Sequence, residues 1–182
     1  ARRPSASVLA AALLPVAARA DSYTETFIDG ETYGRASLSF DALRNVVLPA
    51  LAATGIYGSA ELDAAAFGRE ADGRIGLYAE PSGLNAIDWS SRGAHRETRA
   101  IVATGHLHRG LADRAIDHLV KVGRSQGVEI AAEHVEVGSR GPGIHVTVWS
   151  RWERGFASGS AMGARGIRVE TLAQQAYEEL FW

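Results

Sequence analysis

The sequence predicts an α+β fold, on three observations. An apolar stripe at helical spacing, Phe40, Leu43, Val47 and Leu51, marks one clear helix. Alternating apolar positions, Ile144, Val146 and Val148, mark a clear strand. Both kinds of segment recur along the chain, and Pro81-Ser82-Gly83 supplies a turn between two such groups.

Composition sets the bounds. The chain has 182 residues, room for one domain or two small ones. Apolar residues make up 46% and charged residues 22%, which is a globular composition and argues against disorder. The net charge of −2 supplies no global field for nucleic acid, although arginine is abundant and Lys121 is the only lysine. The absence of cysteine excludes disulfides, thiolate metal sites and cysteine nucleophiles. No run reaches the roughly 18 apolar residues of a membrane span.

The elements follow in order. Ser5 to Ala18 reads as an alanine-rich apolar helix that Pro15 should kink or stop. With Arg2 and Arg3 before it and Ala18-Arg19-Ala20 after it, the same stretch also fits a secretory signal peptide. Tyr23 to Ile28 alternates as a strand and ends at Asp29-Gly30. The helix from Phe40 to Thr54 has Asp41 in its first turn and Gly55 at its end, and Pro49 should bend it. Ile56 to Leu62 and Arg74 to Glu80 read as strands around a polar loop, Phe67 to Gly73. Beyond the turn at residue 81 come a strand, Arg96 to Thr104, and an amphipathic helix, Leu111 to Gly123. Two strands, Val128 to Val137 and Ile144 to Trp152, then flank the turn Gly138 to Gly143. A short strand near Phe156 and a helix from Val169 to Phe181 close the chain.

One segment is more specific. Residues 30–56, GETYGRASLSFDALRNVVLPALAATGI, resemble the pattern G-x-T-x…S-x-x-x-D-x-(apolar)…P-x-L…G-I of the RNA 3′-terminal phosphate cyclase family. SASVLAAALLP, residues 5–15, resembles the family's apolar helix ending in L-L-P, which favours a core helix over a signal peptide. Ser139 to Gly143 resembles its "GPG" strand. Ala161 to Gly166 with Val169-Glu170 resembles its "LGE" segment and the helix that follows.

The resemblance implies a βα repeat unit of the cyclase body over residues 1–81 and a small β-α-β-β inserted domain over 82–154. Residues 155–182 would form a strand and helix returning to the body. It implies ATP-dependent conversion of an RNA 3′-phosphate to a 2′,3′-cyclic phosphate, through an adenylated histidine and with a divalent metal such as Mg. The other reading is an inactive RNA-binding assembly protein on the same fold. The expected partners are an RNA 3′ end and another chain or the missing segments of the fold, in the cytoplasm unless residues 1–20 are exported. The residues carried over to nucleotide or RNA binding are Gly30, Thr32, Arg35, Ser37, Asp41, Arg69 and Arg140.

The departures from the family are equally concrete. Its glycine-rich loop falls on Ala65 to Gly73, where only the last glycine remains and Glu70 and Asp72 would repel a phosphate. A glutamine near the nucleotide falls on Ala11, and a proline wall falls near Leu38 and Ser39. None of the six histidines sits in the adenylated motif, so no catalytic residue is assigned. The chain is expected to be truncated at both ends, and Leu9, Leu13 and Val47 should then form exposed apolar surface.

Other chemistry reads as ordinary structure. His106-Leu107-His108 has an H-x-H spacing but no third ligand, so a turn before the next helix is the better reading and no metal site is assigned. His118 and His145 read as surface positions, the latter opposite Val146 on its strand. Trp149 reads as core.

Overall fold

The computed structural model describes residues 4–68 and 72–181. The chain forms two mixed layers. The first opens with helix α1 (Ala6–Ala17), whose N-cap Ser5 accepts the Val8 amide. Pro15 does not stop it; two more residues follow before it ends. Ala6, Ala10 and Leu14 are fully buried against strands β1 (Thr24–Gly30) and β3 (Gly73–Ala79). Strand β2 (Gly58–Ala64) completes an antiparallel sheet in the order β1-β3-β2.

Residues 40–53 form one continuous helical run with a change of winding. Helix α2 (Phe40–Ala42) is capped by Ser39, a π-helical turn covers Leu43–Val47, and helix α3 (Leu48–Ala53) carries Pro49 in its first turn. Proline lacks the amide that would reach the carbonyl four residues back, and its ring crowds that carbonyl. The wider π turn, with Leu48 N–H bonded to the Leu43 carbonyl, leads into the helix that Pro49 opens, so the expected bend takes this form.

The second layer is a four-stranded sheet, β5-β4-β6-β7, formed by β4 (His95–Gly105), β5 (Ile130–Glu136), β6 (Gly143–Trp152) and β7 (Gly155–Met162). Strand β4 pairs parallel with β5 across helix α4 (Arg109–Ser125) and antiparallel with β6. The strand and helix expected to rejoin the first layer instead complete the second. Residues 155–162 pair along the length of β6, and α5 (Val169–Glu179) lies beside α4. Gly159 explains the close fit, because a Cβ there would collide with the Ala176 carbonyl oxygen of α5.

Both faces of this sheet are covered. Ala100, Val102, Val146 and Val148 meet Ala115, Leu119, Leu172 and Ala176 of the two helices. Ile101, Ala103 and Trp149 turn the other way and join the core of the first layer. Strands buried on both faces read as continuous apolar runs, as residues 100–103 of β4 do, whereas β6 alternates and buries the polar His145 and Thr147 on its second face. His145 is therefore not a surface residue: it is fully buried on the face that meets the first layer. Leu9 and Leu13 are exposed on α1 as expected, whereas Val47 is half-buried. No helix of the described residues is long and apolar enough to cross a membrane.

Candidate functional site

The junction of the layers is built from the segment after β1. Thr32 clamps residue 66: its hydroxyl accepts the Ala66 amide at 2.8 Å, and the Tyr33 amide reaches the Ala66 carbonyl at 2.9 Å. Tyr33 is thereby held in place, stacked on Phe67 at 5.1 Å and tilted against His145 at 5.2 Å. Its hydroxyl donates to Asp41 Oδ1 at 3.3 Å. Ser39, the cap of α2, meets the Thr147 hydroxyl at 2.9 Å, and Thr147 meets His145 Nδ1 at 3.2 Å. A polar seam thus joins the layers where hydrophobic packing alone would leave their register less specified.

Beside this seam lies a cleft of about 1060 Å³. The helical run 40–53 contributes Asp41, Arg44 and Asn45, the β2 edge contributes Glu61, and the second sheet contributes Arg99, Glu133 and Glu136. Asp41 is 6% exposed, and its Oδ2 has no hydrogen-bond partner. Burial pushes its carboxyl up to about 7; the Tyr33 hydroxyl and Arg44 pull down against this, and Glu133 adds to the rise. Burial drives His145 the other way, down to about 3, so it stays neutral. Burial also holds the Tyr33 phenol well above its ordinary value.

The sequence-assigned residues do not converge. Asp41 lines the cleft, while Thr32 is spent on the backbone clamp. Gly30 is a packing glycine, since a Cβ there would lie 2.4 Å from the Pro4 carbonyl oxygen. Arg35 is exposed and Ser37 half-buried on the loop before α2. Arg140 pairs with Asp72 at 3.0 Å in a separate crevice shared with Asp29 and Arg74. Arg69 lies outside the described residues. Sequence reasoning missed Tyr33, Asn45, Arg99 and Glu133. The last two approach only because β4 and β5 pair in parallel, bringing Arg99 Nη2 to 3.8 Å from Glu133.

The histidines are all engaged. His106 meets the Ser139 carbonyl at 2.5 Å, and His108 caps α4 by accepting the Gly110 amide at 3.1 Å, so the H-x-H pair is divided between two structural tasks. His95, His118 and His134 bond to Thr98, Gln174 and Thr104. No cluster able to hold a metal occurs among the described residues.

Residues 90–181, which hold all of the second sheet and its two helices, match the family model described as RNA 3'-terminal phosphate cyclase (RTC), insert domain. The chain belongs to the RNA 3′-terminal phosphate cyclase family. It is 26% identical over 177 residues to an RNA 3'-terminal phosphate cyclase of Koribacter versatilis, covering 94% of this chain and 48% of the relative. To the protein of the same name from Gloeothece citriformis it is 24% identical, covering 95% and 49%. To that of Methanosarcina barkeri it is 26% identical, covering 97% and 51%. This cyclase-family chain therefore spans about half the length of the curated relatives it matches.

Proposed function

We propose that the chain is an RNA 3′-phosphate cyclase-like protein of cytoplasmic RNA processing, which binds RNA but does not supply the nucleophile. The family reaction joins AMP from ATP to a histidine and passes it to an RNA 3′-phosphate. The observation that carries this reading is the insert-domain match over residues 90–181 in a chain whose six histidines all have structural partners. A buried imidazole held near pKa 3, as at His145, is a poor candidate to meet ATP, because a nucleophile must be reached by its electrophile.

The cleft does not fit a triphosphate. Among the described residues, Asp41, Glu61, Glu133 and Glu136 share the cleft with two cations, Arg44 and Arg99, and no glycine-rich cradle lines it. Phosphate contacts fit better outside the cleft, at the exposed Arg35 and Arg140 with Ser37 beside Arg35. The exposed aliphatic face of α1, with Val16 68% and Leu13 40% exposed, favours cover by further cyclase elements, from another chain or from other segments of the same fold.

Incubation with α-labelled ATP and a 3′-phosphorylated oligoribonucleotide tests the reading. The expected result is salt-dependent RNA binding without protein-bound AMP or cyclised product. Two arginine contacts predict a log–log salt slope of about −1.4 for a single strand. Cyclisation by the chain alone would establish autonomous catalysis, and no binding at low salt would remove the RNA role.

A further inference from the structure

The cleft between the layers is bounded by two sheet edges. Strand β2 is the outer strand of the first sheet and β5 the outer strand of the second. The segments that continue them meet in a parallel bridge, where the Ala65 amide donates to the Gly138 carbonyl at 2.7 Å and Ala65 lies opposite Ser139. Upstream of that closure the two strands are not paired with each other, and both line the cleft. On β2 the lining is five consecutive residues, Gly58–Leu62. Side chains alternate between the faces of a strand, so an unbroken run along a cleft presents main chain. Strand β3 satisfies one side of this run, and among the described residues no main-chain partner meets the other. The run is regular, because the register shift in β2 falls beyond it, between Leu62 and Ala64.

The surroundings of this open edge define what would add to it. Leu48 and Pro49 of the helical run and Ile101 of β4 give the cleft an apolar wall, and Val135 of β5 is 37% exposed. Glu61, Glu133 and Glu136 are exposed on the bounding strands. Arg99 approaches Glu133 at 3.8 Å, which leaves Arg44 as the other cation of the lining. Such a rim disfavours the phosphates of RNA, whereas polypeptide main chain is what an open strand edge pairs.

We propose that a partner protein docks here by strand addition. An extended segment pairs its main chain with Gly58–Leu62 of β2, lays alternate apolar side chains on the wall and carries lysine or arginine towards Glu61, Glu133 and Glu136. In this mode the main-chain bonds supply affinity, and the alternate side chains supply specificity.

Fluorescence anisotropy of the whole chain with a labelled peptide of alternating lysine and valine, about seven residues long, is the test. Saturable binding is expected, with hydrogen exchange of the Gly58–Leu62 amides slowed in the complex. Methylating alternate peptide nitrogens leaves side chains and charge in place. One of the two alternating sets should weaken binding about tenfold or more, because only one set faces β2. Glu61→Lys with Glu136→Lys, both on exposed side chains, should weaken the lysine peptide about tenfold and favour its glutamate counterpart. Absence of binding at millimolar peptide would overturn the proposal. So would equal binding of the parent peptide and both methylated forms, or protection that misses Gly58–Leu62. Protection of those amides by single-stranded RNA, or by dimerisation without peptide, would assign the edge to another occupant and overturn it equally.

Discussion

Asp41 and His145 lie on opposite sides of the layer junction, and burial shifts them in opposite senses, which makes a worked stability experiment possible. Asp41 is raised from 3.8 to about 7, so between those values the folded chain holds a proton that the unfolded chain has lost. Its contribution is full below pH 3.8 and drains away as pH rises through 7. His145 is lowered from 6.5 to about 3, so in that interval the unfolded chain holds the extra proton. Its contribution is full above pH 6.5 and is lost as pH falls towards 3. One pKa unit corresponds to about 1.4 kcal/mol. Between pH 4.5 and 6 each group alone should change stability by about 2 kcal/mol, Asp41 downward with rising pH and His145 upward. In the parent chain the two nearly cancel.

Single variants uncover the hidden slopes. Urea unfolding at pH 4.5, 5.25 and 6 should show His145→Gln losing about 2 kcal/mol relative to the parent across the series, whatever its absolute stability. Asp41→Asn should gain about as much relative to the parent over the same range. Subtracting the parent curve removes the titration of exposed groups common to all three proteins. Difference curves flat to within about 0.5 kcal/mol would refute the assigned burial of both groups.

Leu119→Ala, in the core between α4 and the second sheet, should cost about 2–5 kcal/mol in urea unfolding. Thr32→Val keeps the side-chain volume but leaves the buried Ala66 amide without its hydroxyl acceptor, and should cost about 1–3 kcal/mol by the same assay. Gly159→Ala forces α5 away from β7, so thermal melting should fall by several degrees, roughly 4 °C or more for a loss of about 2 kcal/mol. Leu13→Asp together with Val16→Asp should reduce self-association in light scattering without lowering the melting temperature, because both side chains are exposed.

Much of the fold is legible in the sequence where one face of an element meets water. The Phe40–Leu51 stripe and the amphipathic α4 carry a polar face that phases the apolar one. Legibility fails where both faces are covered. The alternation rule sends His145 to solvent because it assumes that one side of β6 is wet, whereas the first layer packs on that side. The placement of β7 and α5 is hidden for a related reason. Gly155–Met162 is small and weakly patterned, and its partner is chosen by a hairpin turn and by the Gly159 contact with α5. Of the candidate site, Asp41 is readable as the acid of a motif, but Arg99 and Glu133 become neighbours only through a parallel pairing register.

The same junction explains why family resemblance and local chemistry diverge in this chain. Much of the segment around Gly30–Asp41 is occupied in building the junction: Thr32, which matches the family pattern, binds residue 66, while Tyr33 and Ser39, which do not, pack between Phe67 and His145 and bind Thr147. A group fully engaged in a buried seam cannot also contact a phosphate without breaking that seam, and each broken buried bond costs about 1–3 kcal/mol. Asp41, a family match that lines the cleft, keeps one buried oxygen without a partner. Selection acting on this segment would therefore preserve the family pattern for packing.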